Sequence, residues 1–148
     1  MRLIIGCGNL LLRDEGIGVH CIEFLKRKSL PEGVELLDGG TAGIDLIGFI
    51  QKAEKVVIID AVKTGGNPGE IYSFSSQDFE TEVSPITSLH DITLKDIFRI
   101  LQKLGSFPEI RIIGIEPKNI ECGTDLSPEL KNLLPKISEL ALKEIEDA

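Results

Sequence analysis

Four short apolar runs, rich in β-branched residues and each bounded by glycine, aspartate or proline, constrain the fold of this chain more than any other feature. They cover residues 3–7, 34–37, 56–59 and 110–113. Runs of this length without polar alternation are typical of strands that are buried on both faces of a parallel sheet. Apolar residues at helical spacing lie between them. We therefore predict an α/β fold, a three-layer α/β/α sandwich around a mostly parallel, twisted sheet of about five strands.

The other elements are predicted from spacing and from start and stop signals. Thr93 is expected to cap the helix that follows it. Ser127 and Pro128 should begin the last helix, which Pro135 should kink. Residues 70–74 follow the third run too closely for a crossover helix, which predicts an antiparallel edge strand or an extended arm. Apolar positions expected on inner helix faces are Ile17, Cys21, Phe24, Leu25, Ile44, Ile47, Ile50, Leu94, Ile97, Phe98, Leu101 and Leu104.

Size and charge exclude several classes of protein. The chain has 148 residues, and we predict a single domain over residues 1–148. With 24 acidic and 16 basic residues, its net charge of −8 has the wrong sign for binding nucleic acid. Three cysteines without a Cys-x-x-Cys pair favour a reducing compartment over a disulfide framework. No export signal and no apolar run of about 18 residues is visible, so we expect a cytoplasmic protein that does not enter a membrane.

The glycine loop after the first run, GCGNLLLRDEGIG, is a weak match to a dinucleotide-binding fingerprint. That fingerprint needs three glycines, and its third position is occupied in this chain by Leu11. Asp14 and Glu15 stand just before the predicted helix start, where their charges would repel a pyrophosphate. Asp38 nevertheless ends the second run, where a ribose-binding acid would stand. Nucleotide binding is therefore kept as an alternative.

The same strand ends also predict a metal site. Glu15 follows the first run and Asp60 ends the third, so both carboxylates should point into the crevice where strand order reverses. His90 lies just ahead of the helix that Thr93 caps, within reach of that crevice. Two carboxylates and an imidazole suit a borderline divalent ion such as zinc or nickel. The structural alternative is that both acids cap or neutralise the adjacent helix and turn.

Five motifs in order resemble the maturation endopeptidases of nickel-iron hydrogenases. They are GCGNLLLRDEGIGV, ELLDGGTAGIDL, KVVIIDAV, SLHD and IGIEP, and together they span nearly the whole chain. The resemblance implies an α/β enzyme that removes a short C-terminal extension from the hydrogenase large-subunit precursor after nickel insertion. It implies that Glu15, Asp60 and His90 are the catalytic, metal-contacting residues. It also implies that the precursor carries the nickel, that zinc or cadmium can substitute, and that the enzyme is a monomer.

The second motif predicts a substrate-binding loop. Asp38, Gly39, Gly40 and Thr41 are assigned to holding the precursor, because glycines permit the close backbone approach that an extended peptide needs. The structural alternative is a tight strand-to-helix turn with Thr41 as its N-cap.

Other candidate residues are assigned lesser roles. His20 is expected to be a solvated histidine on the flank of the first helix. A Cys7–His90 nucleophile pair is disfavoured because acidic neighbours oppose a thiolate. In IGIEP a structural role is favoured, in which Pro117 fixes a loop, and Glu116 is compatible with a solvated acid.

The mechanism is left open between a metal-polarised carbonyl and a metal-activated water, with a carboxylate as general base. An aspartic dyad of Asp38 and Asp60 is a less favoured variant. The competing class of function is a small nucleotide- or metal-binding module without peptidase activity.

Overall fold

The computed structural model describes residues 1–40, 43–82 and 93–147. Its strands are β1 (Arg2–Cys7), β2 (Val34–Gly40), β3 (Lys55–Ala61), β4 (Ile71–Ser75) and β5 (Glu109–Ile115). Its α-helices are α1 (Ile17–Leu25), α2 (Leu46–Lys52), α3 (Ser76–Glu82), α4 (Leu94–Lys103), α5 (Pro128–Lys131) and α6 (Leu134–Glu146). Short 3-10 helices, Arg13–Gly16 and Gly43–Asp45, precede α1 and α2.

The five strands form one sheet in the order β2-β1-β3-β5-β4. β1 lies parallel to β2 and β3, β3 lies parallel to β5, and β4 pairs with β5 in the antiparallel sense at the edge. The predicted α/β fold, mostly parallel sheet and antiparallel edge strand are confirmed. Strand order reverses between β1 and β3, so a ligand crevice is expected beyond the carboxyl ends of these two strands.

Helices cover both faces of the sheet. On each face, a separate cluster of buried apolar residues lies between the helices and the strands. Successive strand residues point to opposite faces, which explains why the buried runs show no polar alternation. Ile4 and Ile59 pack beneath α1 and α6. Ile5 and Ile58 belong to the opposite cluster, which also contains Phe98 of α4. The two clusters hold the strand ends, and therefore the crevice, in fixed positions.

Two helices are shorter than the apolar spacing predicted. Ile44 lies in the 3-10 turn before α2 and Leu104 follows α4, and their side chains are 56% and 57% exposed. Their predicted inward positions were wrong because each helix stops short of them. Helix α3 was not predicted, since its sequence SQDFETE has one apolar residue. That residue, Phe79, packs edge-on against Phe74 and Phe98.

The terminal segment is two helices instead of one kinked helix. Pro135 lies in the first turn of α6, where its missing N–H removes no intrahelical bond. The predicted kink at Pro135 was therefore wrong. Ser127 does precede α5, but its hydroxyl makes no capping bond. Four residues of these two helices are fully buried, Leu130, Ile137, Ala141 and Ile145.

Within the described ranges, no helix is long and apolar enough to cross a membrane.

Candidate active-site crevice

The turn after β1 brings Glu15 to the carboxyl end of β3. Gly8 adopts a φ of +125°, and a Cβ there would lie 1.8 Å from the carbonyl oxygen of Glu15 and 3.5 Å from Oδ1 of Asp60. A side chain at this position would collide with the turn, so glycine is required. Glu15 itself belongs to the 3-10 helix Arg13–Gly16 and is half-buried. The backbone of one predicted ligand thus lies beside the carboxylate of the other.

Asp60 is the penultimate residue of β3 and is half-buried at the strand end. Its Oδ1 accepts a hydrogen bond from the backbone N–H of Ala61 at 2.9 Å. Burial raises the pKa of Asp60 to about 7, with a further raising contribution from the charge of Glu15, and the Ala61 bond opposes this increase. A carboxylate so placed gains from a nearby cation, which offsets both desolvation and repulsion.

Cys7 ends β1 next to the same acids. Burial raises the pKa of its thiol well above the ordinary value, and the charges of Asp60 and Asp38 raise it further. Cys7 is consequently a protonated thiol in these surroundings, and a Cys7 nucleophile is not supported. Asp38 lies opposite Gly6 in the β1–β2 register, beside the end of β1.

The substrate-binding segment begins inside a strand. Asp38, Gly39 and Gly40 are the last residues of β2, where a loop was predicted, and Asp38 is exposed. The N–H of Gly8 donates to the carbonyl of Gly40 at 2.9 Å, which ties this segment to the glycine turn. Thr41, the predicted N-cap and fourth member of the segment, lies outside the described residues.

His90, the third predicted ligand, also lies outside the described residues. The helix predicted to follow it is confirmed: the Thr93 hydroxyl accepts from the Asp96 N–H, and the Asp96 carboxylate accepts from the Thr93 N–H. Within residues 1–40, 43–82 and 93–147, no group of three His, Cys, Asp or Glu side chains could hold a metal ion. Among the described residues, Glu15 and Asp60 are two of the three predicted ligands, and the predicted metal-binding role of the three stays a prediction.

Comparison with known proteins decides the family. A model of hydrogenase maturation proteases matches residues 19–144. The chain belongs to this family of peptidases. It is 32% identical over 153 residues to the hydrogenase 2 maturation protease of Escherichia coli K12, covering 99% of this chain and 91% of that protein.

Two further comparisons agree with membership of the hydrogenase maturation protease family. The chain is 38% identical over 122 residues to the hydrogenase expression/formation protein HoxM of Azotobacter vinelandii, covering 80% of this chain and 59% of HoxM. The fold is similar to the hydrogenase maturating endopeptidase HybD from E. coli, with a TM-score of 0.87 and 32% identity over 97% of this chain and 90% of HybD.

Asp14 has a structural role in this maturation protease that sequence reasoning missed. Its side chain is fully buried and accepts hydrogen bonds from the backbone N–H groups of Lys118, Asn119 and Ser127 and from the Ser127 hydroxyl. Burial raises its pKa, but the bonds from Ser127, Asn119 and Lys118 outweigh burial and lower the pKa overall. The Ser127 hydroxyl, which was predicted to cap a helix, therefore donates a hydrogen bond to Asp14 instead.

Glu116 is buried as well, with 5% of its surface exposed, so the solvated alternative was wrong. Its Oε1 accepts from the N–H and hydroxyl of Thr64 and from the N–H of Gly66, and the Tyr72 hydroxyl, which donates to Glu70, lies 3.3 Å away. In sequence, the only available signal was its position directly after a buried strand. An acid there must find donors in the neighbouring loop or face solvent.

His20 is half-buried, where a solvated side chain was predicted. Its Nε2 is buried and has no hydrogen-bond partner among the described residues. Burial lowers the pKa of His20, opposed by its bond to Thr124 and the charge of Asp125. His20 packs against the segment before α5 and takes no part in the crevice formed by Glu15 and Asp60.

Proposed function

We propose that this chain is the endopeptidase that removes the C-terminal extension of a [NiFe]-hydrogenase large-subunit precursor after nickel insertion. The observation that carries the proposal is the pairing of Glu15 with Asp60 at the reversal of strand order, where burial and the charge of Glu15 raise the pKa of Asp60 to about 7. Family membership supplies the peptidase class.

Nickel enters the proposed reaction as part of the substrate. Glu15 and Asp60 supply two carboxylates, and His90 is proposed as the third ligand, a donor set that suits nickel and would also accept zinc or cadmium. A cation in the crevice would offset the repulsion between the two acids, and binding it would release the proton that Asp60 holds below pH of about 7. Binding of the metal in the crevice would therefore allow the enzyme to distinguish a precursor that contains nickel from one that does not.

Two routes to hydrolysis are compatible with this donor set. In the first, the precursor's metal polarises the scissile carbonyl, and a crevice carboxylate takes a proton from the attacking water. In the second, the metal lowers the pKa of the attacking water itself. An Asp38–Asp60 dyad is less well supported, because the acid that raises the pKa of Asp60 is Glu15 and Asp38 is exposed.

The end of β2 is proposed to hold the extension. Asp38, Gly39 and Gly40 lead from the strand to the turn around Gly8, and they offer backbone groups along one side of the crevice. An extended peptide lying there by main-chain hydrogen bonds would present its scissile bond to Glu15 and Asp60.

The experiment is to incubate the protein with a nickel-loaded large-subunit precursor and to determine the masses of the products. A single cut near the precursor's C-terminus is expected. An intact precursor, together with tight binding of a labelled nucleotide, would favour the competing binding-module function.

A further inference from the structure

Two buried carboxylates outside the proposed chemistry meet at one short segment after β5. We propose that residues 116–119 clamp the turn that carries Glu15 to the loop that follows Asp60, so that Asp14 and Glu116 are positioning residues that hold Glu15 in place relative to Asp60. The inference deepens the proposed function and rests on it.

Asp14 fastens the turn that carries Glu15. Its Oδ2 accepts from the N–H groups of Lys118 and Asn119 at 3.0 and 2.9 Å and from the hydroxyl of Ser127 at 2.7 Å. Its Oδ1 accepts from the N–H of Ser127 at 2.7 Å. The Asp14 N–H also donates to the carbonyl of Asn119 at 3.0 Å. Because Glu15 is the next residue, its backbone can shift little without breaking this set.

Glu116 fastens the loop that follows Asp60. Its Oε1 accepts from the N–H and hydroxyl of Thr64 at 3.0 and 2.8 Å and from the N–H of Gly66 at 3.2 Å. The backbone of the same residue accepts from the N–H of Gly69 at 2.8 Å. The loop between β3 and β4 is thus closed onto the end of β5.

The two sets of bonds share one piece of chain. Glu116 stands two residues before Lys118, and Pro117 between them restricts the backbone. A shift of this segment would move the turn with Glu15 and the loop after Asp60 together. Each carboxylate is buried, so losing its acceptor oxygens would leave several buried donors without an acceptor. That loss would lower the free energy of unfolding substantially. The clamp thus ties the turn that carries Glu15 to the loop that follows Asp60 through residues that do not contact the metal.

The use of the carboxylate oxygens makes the two residues respond differently to amide substitution. The three donors at Glu116, two from Thr64 and one from Gly66, all meet Oε1, so Glu116→Gln retains their acceptor, whereas Glu116→Met keeps the length and removes it. Asp14 uses both oxygens, so Asp14→Asn turns an NH2 group toward backbone donors.

The test measures cleavage of nickel-loaded precursor and amide hydrogen exchange in residues 13–16 and 61–66. Asp14→Asn and Glu116→Met should each lower kcat/KM by at least about tenfold and speed exchange in these loops. Glu116→Gln should stay within about threefold of the wild type on both readouts. The matched control is Ile145→Val, which weakens the core at the opposite end of the sheet and should leave kcat/KM and loop exchange in place.

Folded Asp14→Asn with wild-type kcat/KM and wild-type exchange would overturn the clamp. Equal losses in Glu116→Gln and Glu116→Met would overturn the oxygen-specific account of Glu116. If Asp14→Asn does not fold, Ser127→Ala replaces it, because this variant removes only the hydroxyl donor to Asp14. It should likewise lower kcat/KM and speed amide exchange in residues 13–16 and 61–66, and wild-type values of both would overturn the clamp. If the wild type cuts no precursor, the proposed function fails, while unchanged exchange in the variants would overturn the clamp separately.

Discussion

The Asp60 carboxylate at the end of β3 lies within electrostatic reach of Glu15 in the turn after β1. Burial raises the pKa of Asp60 to about 7, with the charge of Glu15 contributing. Folding therefore brings together two acids that repel each other and withdraws one of them partly from water. Such an arrangement lowers the stability of the folded protein. It is typical of a functional site that binds a cation or a proton.

Removing either charge should abolish cleavage without unfolding the protein. Glu15→Gln and Asp60→Asn keep the side-chain shape but lose the charge that is proposed to engage the metal. We expect each to lower kcat/KM by at least about 100-fold, equivalent to about 2.7 kcal/mol of transition-state stabilisation. Mass spectrometry of the precursor over time measures the rate, and circular dichroism checks the fold.

The matched control for this pair is Glu35→Gln, which removes a charge from an exposed position on β2. Its cleavage rate should equal that of the wild type. A folded Glu15→Gln or Asp60→Asn variant that cleaves at the wild-type rate would remove that residue from the mechanism.

Asp60→Asn should also stabilise the metal-free protein in a pH-dependent way. A raised pKa means that the folded state binds the proton more tightly than the unfolded state, in which the pKa of an Asp is about 3.9. Ionising Asp60 therefore opposes folding increasingly between pH of about 4 and 7, and fully above 7. With chelator present, the Tm of Asp60→Asn should exceed that of the wild type by at least about 3 °C at pH 8.5.

The stabilising effect of Asp60→Asn should shrink as pH falls toward 5, where more of the wild-type Asp60 is protonated in the folded state. Glu35→Gln again serves as control, and its Tm difference should not follow this trend. A Tm increase that is absent at pH 8.5, or that grows toward low pH, would contradict the raised pKa of Asp60.

Much of the fold was predictable because its strands are buried on both faces. The runs around Ile4 and Ile58 contain no polar residues, so they could be recognised as strands buried on both faces. The short gap before Ile71 excluded a crossover helix. The edges of helices were less predictable. Ile44 and Leu104 fit a helical period but lie just outside α2 and α4, next to Gly43 and Gly105, where the chain turns with φ values of +61° and +73°.

The buried acids mark the limit of sequence reasoning about the site. Glu15 and Asp60 were predicted because strand ends of a parallel sheet converge at the reversal of strand order. Asp14 looks no different from Glu15 in sequence, yet one is fully buried against the segment after β5 and the other belongs to the crevice. Its donors are more than 100 residues away along the chain, so local pattern holds no sign of them.

The cysteines should be dispensable for cleavage. Burial raises the pKa of Cys7 well above its ordinary value and that of Cys21 to about 12, so both are protonated thiols at neutral pH. Replacing Cys7, Cys21 and Cys122 together by alanine should retain most activity, although cavities at the two buried sites will lower Tm. A variant that is folded at the assay temperature but inactive would restore a thiol mechanism.

Gly18 should be irreplaceable for packing reasons. A Cβ there would lie 2.1 Å from the carbonyl oxygen of Ile59 and 2.5 Å from that of Cys7, both backbone atoms. Gly18→Ala should therefore destabilise the protein by at least about 2 kcal/mol, since α1 must move away from the sheet. Gly48→Ala is the matched control, because its Cβ meets nothing within 4 Å in α2.

The control should change stability in the opposite direction. Alanine is a better helix former than glycine, so Gly48→Ala should stabilise by about 0.5–1 kcal/mol in denaturant titration. A Gly18→Ala variant as stable as the wild type would contradict the close contact between α1 and the ends of β1 and β3.

The most direct test of metal-gated cleavage compares two preparations of the same precursor, one shown to contain nickel and one shown to contain no metal. Each is incubated with excess enzyme in metal-free buffer and followed by mass spectrometry of the large subunit. The proposed function has the cation that offsets the repulsion between Glu15 and Asp60 arrive with the substrate, so only the nickel-loaded precursor should be cut, once and near its C-terminus. Efficient cleavage of the metal-free precursor at the same position would contradict the account.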